Sequence, residues 1–541
     1  MPLESYRMKS RLVIWSITAS LAGFLFGFDT IVISGAEEDF QRLWQLDGFW
    51  HGLCMSAALW GTVIGSIFGG IPAATYGRRM SLIVVGGFYF VSAVASALAP
   101  GPWTFIIARF LGGLGVGAAT IAAPMFISEI SPAKNRGKLA GMFQFNIVFG
   151  ILVAFASNWV IGNTASEAIA WRFMLGLEAV PALVYTILSL TLPESPRWLI
   201  THANKRDEGR EVFRLINPDM SDAELDSLVD EVAASVADKE KTAHFWTRRL
   251  RVPIMLAFLI AFFNQFSGIN IILYFAPRLL GLAGLSDPLM ASISLGITNL
   301  IFTFAGLALI DKIGRRTLLF IGSIGYIASL GICAWAFLST PAFKVVSTAG
   351  DLESAANAVI AIEAGERFVA EKDRPGVYAA YDKAKAAFTE AQSQEESPRQ
   401  SSVIPADATY TETSALAAEA TAAAKQSLGF KSMLVLFCLI GFIAAHAIGQ
   451  GTVIWVFIGE IFPNDHRAAG QALGSATHWV CAAVLSFLFP IAMQHFEPGV
   501  LFGFFAFMMV LQLVWVVTLV PETKGISLEE MQARLGIAEE N

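Results

Sequence analysis

Charge is what this sequence has least of. Only 15% of its 541 residues are Asp, Glu, Lys or Arg, where soluble domains carry about a quarter. With 55% apolar residues and a mean hydropathy of +0.58, that shortage excludes a water-soluble enzyme, a nucleic-acid binder and a disordered scaffold. There is no cationic surplus either: the net charge is −7 and the pI about 5.6, which argues against a polyanionic partner. Cysteine is scarce, and Cys54, Cys333, Cys438 and Cys481 all fall inside apolar stretches. They read as small buried hydrophobes, not as a disulfide framework. No HxxxH string, CxxC string or acidic metal cluster occurs, so no metal and no cofactor is implied. The polar lead from Met1 to Arg11 precedes no small-residue cleavage site, so no cleavable signal is expected.

What the sequence does have is apolar runs of about 20 residues, the length that crosses a bilayer. Twelve can be marked, near 12–35, 50–74, 80–99, 103–128, 138–162, 171–192, 252–282, 288–310, 317–339, 432–461, 468–493 and 499–520. The expected fold is an all-α membrane protein of twelve transmembrane helices. Basic residues sit in the short connections after even-numbered spans: Arg78 and Arg79, then Lys134, Arg136 and Lys138, then Lys312, Arg315 and Arg316. The connections after spans 3 and 11 have no Lys or Arg, so the positive-inside rule places both termini in the cytoplasm of a multi-pass inner-membrane protein.

Two segments are too polar to cross. Residues 194–251 carry a helix-like pattern, DAELDSLVDEVAASV, and follow span 6, which makes them a cytoplasmic helical linker between an N-terminal half (1–193) and a C-terminal half (252–541). Residues 340–430 are rich in Ala and Glu, follow span 9 and so belong outside; they hold thirteen acidic against eight basic residues, −5 of the chain's −7. Within them 352–372 and 376–394 look helical and 395–412 looks like a loop; 521–541 is a cytoplasmic tail. An internal repeat relates the halves. YGRRMSLIVVGGFYF at Tyr76 answers IGRRTLLFIGSIGYI at Ile313, and ISEISPAKNRGKLAG at Ile127 answers IGEIFPNDHRAAGQA at Ile458. The first pair is offset by 237 positions and the second by 331; the difference of 94 is close to the length of the 340–430 segment, which is therefore an insert in a duplicated six-helix unit. Such parallel repeats are the architecture of a rocking transporter.

The motifs resemble the sugar porter branch of the major facilitator superfamily, over nearly the whole chain except the insert. The strings that carry the resemblance are GRR after spans 2 and 8, PESPR (193–197) after span 6, NQFSGIN (264–270) in span 7 and PETKG (521–525) after span 12. The chain looks especially similar to bacterial proton-coupled pentose and hexose symporters. Glu129, Arg136, Glu460, Arg467 and the GRR arginines Arg78, Arg79 and Arg315 stand at the cytoplasmic ends of spans. Taken alone these are topogenic charges and phosphate anchors. With Glu194 and Arg197, the resemblance implies ion pairs that clamp the halves together when the cavity opens outward. The family usually places Asp or Asn five residues before the second arginine of GRR; the second copy keeps Asp311, but the first has Ala74, so its clamp is expected to be weaker.

Amides at membrane depth are the next candidates: Gln144 in span 5, Asn264, Gln265 and Asn270 in span 7, and Asn299 in span 8. Singly, each would be explained by a bond to a neighbouring helix. Five converging from both halves suit a neutral polyhydroxylated ligand, because amides both donate and accept. Trp455 and Trp479 offer flat apolar faces to sugar C–H groups, with Phe26 and Tyr274 completing the wall, and these positions match the family's sugar site. Departures leave the particular monosaccharide open. The usual Gln-Gln pair is Asn264-Gln265; the GPxxW string of span 10 runs from Gly451 to Trp455 without its proline; His478 replaces Gln or Asn; and Ile151 stands where bacterial pentose symporters have Gln. Gly112, Gly113, Gly115 and Gly117 lie inside apolar span 4, so they are read as a helix-packing face and not a nucleotide loop. His446 and Gln450 either line the cavity or bond a neighbouring helix.

Asp29 is the one ionisable residue of LAGFLFGFDTIVISGA, and a carboxyl at that depth is a functional candidate. Arg109, the one basic residue of span 4, is its expected partner, either as a structural ion pair or as part of a proton switch. In the family, an acid here accompanies proton symport and uniporters commonly have Asn. The reading is thus a secondary active monosaccharide importer with the proton as coupling ion and the bilayer as its setting, working as a monomer. A facilitative uniporter and a non-transporting sugar receptor are the alternatives, though the twenty or so residues after Pro521 make a short signalling tail. A membrane-embedded transferase would need a carboxylate pair or activated nucleophile at the membrane face. The acids here alternate with arginines instead.

Overall fold

The computed structural model describes residues 3–132, 136–218, 220–234, 244–365, 371, 374–394, 404–405 and 407–537. Twelve helices among them are long and apolar enough to cross a membrane: Arg11–Gly35, Gly48–Thr75, Arg78–Ala97, Pro102–Ile130, Gly141–Thr164, Glu167–Ser189, Arg248–Tyr274, Pro288–Ile313, Arg315–Leu338, Phe430–Ile461, Asn464–Met493 and Pro498–Thr518. They are numbered here as spans 1 to 12. Twelve crossings put both chain ends and the 194–251 linker on one face and the insert on the other, called below the linker face and the insert face.

Packing repeats between the halves. Span 1 lies on span 5 as span 7 lies on span 11; span 2 on span 4 as span 8 on span 10; span 3 on spans 4 and 6 as span 9 on spans 10 and 12. Spans 2 and 4 approach backbone to backbone, and a Cβ added at Gly113 would come within 1.9 Å of the Ala58 carbonyl oxygen. Such contact without side chains is how helices gain dispersion energy in lipid. The halves meet through spans 2 and 11 and through spans 5 and 8.

Besides a short interruption of span 2 at Gly69, three spans are broken, each at a residue that bears on function. Span 6 is interrupted at Glu178, between helices Glu167–Leu177 and Ala179–Ser189. Span 7 ends its first helix at Phe266, turns through Gly268 at φ 88°, and resumes as Ile269–Tyr274 and Ala276–Leu282. Only glycine takes that φ at no cost, and a Cβ there would also meet the Phe505 ring at 2.9 Å. Span 10 breaks at Gly449, between Phe430–Ile448 and Gln450–Ile461. The proline missing from its GPxxW string is thus not needed for a break. The Thr452 hydroxyl donates to the Ala447 carbonyl at 2.6 Å, satisfying a backbone oxygen at the break.

The insert folds as three helices, Pro341–Glu363, Arg374–Ser393 and Tyr410–Leu428, the first packed on both others. The helix expected over 352–372 starts earlier, behind a proline in its first turn, and its far end falls partly on residues outside those described. The expected loop 395–412 gives way at Tyr410 to a helix opened by a capping box, in which Thr409 and Glu412 each bond the other's backbone N–H.

Candidate functional site

Two arginine nodes on the linker face copy one another. Gly77 (φ 97°) and Gly314 (φ 100°) start spans 3 and 9 in a conformation side chains rarely adopt. That turn presents the backbone N–H groups of Arg78 and Arg79 to the Glu194 carboxylate at 2.8 and 3.1 Å. Arg315 and Arg316 present theirs to Glu522 at 2.9 and 3.1 Å. The Arg78 guanidinium then forks onto Glu129, both bonds 2.9 Å, and that of Arg315 onto Glu460 at 3.1 and 2.8 Å. Bidentate pairs of this kind fix geometry as well as charge. The first node uses only residues of the first half and Glu194 at the start of the linker, the second only residues of the second half. Among the described residues, no ion pair or side-chain hydrogen bond joins the halves on the linker face, whereas Trp159 donates to Asp287 across them near the insert face at 3.0 Å. Asp311 adds one pair to Arg315 at 3.1 Å but is 82% exposed, so Ala74 in its place costs the first node little. Arg197 is half-buried and Arg467 exposed, and neither makes an ion pair among the described residues. The Arg136 side chain lies outside the described residues.

The amides of span 7 converge deeper in the bundle. Gln265 Nε2 donates to Asn264 Oδ1 at 2.9 Å and stands 3.1 Å from the His478 ring nitrogens, while Asn270 Nδ2 donates to Gln265 Oε1 at 2.7 Å. His478 lies between two indoles, 5.4 Å from Trp455 and 4.8 Å from Trp479, and Trp479 meets Phe26 of the first half at 5.6 Å. Amide, imidazole and indole thus form one patch, with Phe26 reaching it from the other half. Gly451 leaves room beside His446, whose Cδ2 a Cβ would meet at 3.1 Å. Asn299 is buried and bonded within its own helix to Thr303 at 3.4 Å, and Gln144 is half-buried with no hydrogen bond among the described residues. Gln450 and His446 both bond neighbouring helices. Gln450 donates to Gln512, which donates to Ser323, at 2.9 and 2.8 Å; His446 meets the Tyr326 hydroxyl at 2.6 Å.

Asp29 and Arg109 meet as the sequence led one to expect. Arg109 donates from Nη1 to Asp29 Oδ1 at 2.6 Å and from Nη2 to the Asp29 carbonyl at 2.9 Å, both residues about 2% exposed. A third ionisable group, passed over in the sequence, completes the cluster: Glu178, fully buried at the break in span 6, within hydrogen-bond reach of the Asp29 carboxyl. Neither Glu178 oxygen accepts a hydrogen bond from a nitrogen or hydroxyl donor among the described residues. The rule that singles out Asp29, an acid inside an apolar span, would have found it. Tyr274 of the second half closes over the cluster, its hydroxyl within reach of Thr30 and its ring in the field of Asp29 and Arg109. Asn270 of the amide patch and Tyr274 beside the carboxyl pair share the short helix Ile269–Tyr274.

Two six-helix repeats enclosing a polar patch at mid-depth define a membrane transporter. The chain belongs to the family described as "Sugar (and other) transporter", whose model matches residues 15–364 and 412–535. It is 29% identical over 545 residues to the glucose transport protein of Synechocystis, covering 98% of this chain and 99% of that one. To the D-xylose-proton symporter of Escherichia coli it is 28% identical over 560 residues, covering 96% and 95%. Among solved structures, the inward-open conformation of the xylose transporter XylE from E. coli matches with a TM-score of 0.69 at 26% identity, over 97% of this chain and 99% of that one.

Proposed function

We propose that the protein imports a monosaccharide by proton symport through alternating access. The observation that carries the coupling is the Asp29–Arg109–Glu178 cluster. Two buried carboxyls and one guanidinium sum to one negative charge, and two carboxylates within hydrogen-bond reach bond only when one of them holds a proton. A single proton would make the cluster neutral and supply the missing donor. Arg109 can then be shared differently between Asp29 and Glu178 in the two protonation states, and Tyr274 carries the difference to span 7. Sugar would bind at Gln265, Asn264, Asn270, His478, Trp455 and Trp479, with Phe26, Gln144, Tyr274, Asn299 and Gly451 around them. Hydrogen-bonding amides fix its hydroxyls and the indoles cover its C–H face.

The linker face is read as cytoplasmic, in an inner membrane, on the strength of the arginines that open spans 3 and 9. Residues 1–193 and 252–541 act as the two rocking halves, 194–251 as the linker between them. The linker-face nodes, with Glu129, Glu194, Glu460 and Glu522, hold each half rigid in the state described here; in the opposite state their carboxylates would face the other half. The site lies between halves of a single chain, so a monomer suffices. Proteoliposome uptake of a panel of labelled monosaccharides, with and without an imposed pH gradient, tests the reading. At least one sugar should accumulate only when the gradient is present. Uptake of a sugar that equilibrates but never accumulates would make the protein a uniporter, and sugar binding with no uptake would make it a receptor.

A further inference from the structure

Just past span 1, on the insert face, a set of buried charges has no counterpart among the residues discussed so far. Glu37, fully buried, receives both arms of the Arg278 fork: Nε to Oε1 at 2.7 Å and Nη2 to Oε2 at 2.9 Å. Arg278 Nη2 also donates to Gln41. His51, at the start of span 2 and fully buried, brings Nε2 to 3.0 Å from Glu37 Oε2, with the rings of Phe40 and Phe275 set edgewise against it at 5.9 and 6.0 Å. Glu37, Gln41 and His51 belong to the first half, and Arg278 sits on Ala276–Leu282 of the second. This is the only ion pair between the halves among the described residues, apart from the contact of Arg278 with Glu38 beside it at 3.5 Å. Burial by itself would push the Glu37 carboxyl up. Arg278 and His51 outweigh it and hold the carboxyl below its ordinary range.

Arg278 also has an acid of its own half within reach of its field. Glu37 and Glu38 act on it from the first half, and Asp351 acts on it from the second. Asp351 is an exposed residue of the insert's first helix, Pro341–Glu363, which packs on the Ala276–Leu282 segment. That helix is fastened to the second half by Lys344, 3.2 Å from Glu497, and by Phe343 against Phe337 at 4.7 Å. The insert therefore moves with Arg278. Glu37 does not.

We propose that Arg278 is a two-position latch of the insert face. Bound to Glu37 it holds the halves shut there; released, it is taken up by Asp351 of the insert. The physical need is plain. An arginine that loses a bidentate carboxylate in a partly buried place, here 21% exposed, is left with an uncompensated charge. Asp351 supplies the counter-charge in the open state and so lowers the cost of opening. The pair with Glu37 biases the equilibrium one way and the pair with Asp351 the other, as any interaction made in only one state must. This gives the insert a task in transport. The inference rests on the alternating-access part of the proposed function and is independent of which sugar is carried and of proton coupling.

The test reads conformation, not transport. In full-length protein with its four cysteines replaced, Leu98→Cys between spans 3 and 4 and Phe496→Cys between spans 11 and 12 place spin labels on exposed insert-face positions of opposite halves. Their distance distribution separates shut from open. Glu37→Gln should raise the open-to-shut ratio by about tenfold or more, as the loss of a state-specific ion pair does. Adding Asp351→Asn to Glu37→Gln should bring the ratio back toward that of the parent. In an Arg278→Gln background, Asp351→Asn should leave the ratio where it was. Circular dichroism and a single elution peak check that each variant is folded. A distribution unmoved by Glu37→Gln in folded protein overturns the latch, as does an Asp351→Asn effect that widens the opening. Either result leaves sugar uptake and its pH response to stand or fall in the liposome assay.

Discussion

Replacing Asp29 by Asn should uncouple the transporter without unfolding it, and the structure says why. Arg109 makes two bonds to residue 29, one to the side chain at 2.6 Å and one to the backbone carbonyl at 2.9 Å. The substitution leaves the backbone bond untouched, and the new amide oxygen can accept the other. What is lost is the charge assistance of one bond, a difference of about 1 kcal/mol. The arginine is not stranded, because Glu178 remains beside it as counter-charge. Removing the arginine is the harsher change: Arg109→Met would leave two buried carboxyls facing one another, a cost of roughly 3–5 kcal/mol unless both take up protons. In the Asp29→Asn protein the cluster is already neutral and has no proton to carry. A pH difference of about one unit supplies about 1.4 kcal/mol per proton, which supports about tenfold accumulation at one proton per sugar. Proteoliposomes acidic outside should therefore accumulate sugar about tenfold with the parent protein, and Asp29→Asn should only equilibrate it. Binding and sugar-for-sugar exchange should survive, and Glu178→Gln should behave in the same way. Accumulation that persists in Asp29→Asn would refute the cluster as the coupling site.

Other consequences can be checked separately. Gln265→Ala and Trp455→Ala should each weaken sugar binding by about tenfold or more, since a hydrogen bond or stacking face lost is worth on the order of 1–3 kcal/mol; calorimetry showing every tested sugar unaffected in both would remove the amide–indole patch as the site. Gly77→Ala and Gly314→Ala should each lower the thermal unfolding temperature in detergent by destabilising on the order of 1–3 kcal/mol. Besides the positive φ, their new Cβ atoms would sit 2.2 Å from Glu194 and 2.5 Å from Glu522, whereas Gly87→Ala meets nothing within 4 Å and should be neutral. Replacing residues 345–425 with a short Gly/Ser linker should leave a folded, sugar-binding protein whose insert face is shut more of the time; loss of binding in a well-folded deletion would place the insert in the sugar site itself.

The spans were legible because lipid imposes one rule on every segment, enough apolar length to cross, and that rule is written locally. Starts and ends read from the sequence fall within a few residues of most of the helices from Arg11–Gly35 through Pro498–Thr518. The duplication was legible for a related reason. Each GRR node needs a glycine at positive φ, two arginines and carboxylates at the linker-face ends of later spans, so both copies keep the same letters. Glu522 is harder to single out, because PETKG stands as a family string and only the bonds to Arg315 and Arg316 mark its acid as the second copy of the carboxylate in PESPR. Breaks in helices were harder. Proline advertises the break in span 6, where Pro181 follows Glu178 by three residues, but span 10 breaks at Gly449, a residue type that also occurs in unbroken helix.

Least legible was anything that depends on which state the halves occupy. The linker-face acids and arginines can be named from sequence, yet their partners are a property of the conformation. Here Arg78 forks onto Glu129 and Arg315 onto Glu460 within each half, and the ion pair that crosses between halves is on the opposite face. Glu37 and Arg278 are 241 positions apart, Glu37 just beyond one apolar run and Arg278 near the end of another. In sequence a charge there means only that a span has ended. Its significance comes from burial. Glu37 has no exposure at all, its partner belongs to the other rigid body, and the acid that can relieve that partner rides on the insert. A charge pair that must break for the molecule to open, with a replacement partner held on the moving side, is chemistry that only three-dimensional placement reveals. It is also why the insert, which interrupts a repeat that packs completely without it, need not be inert.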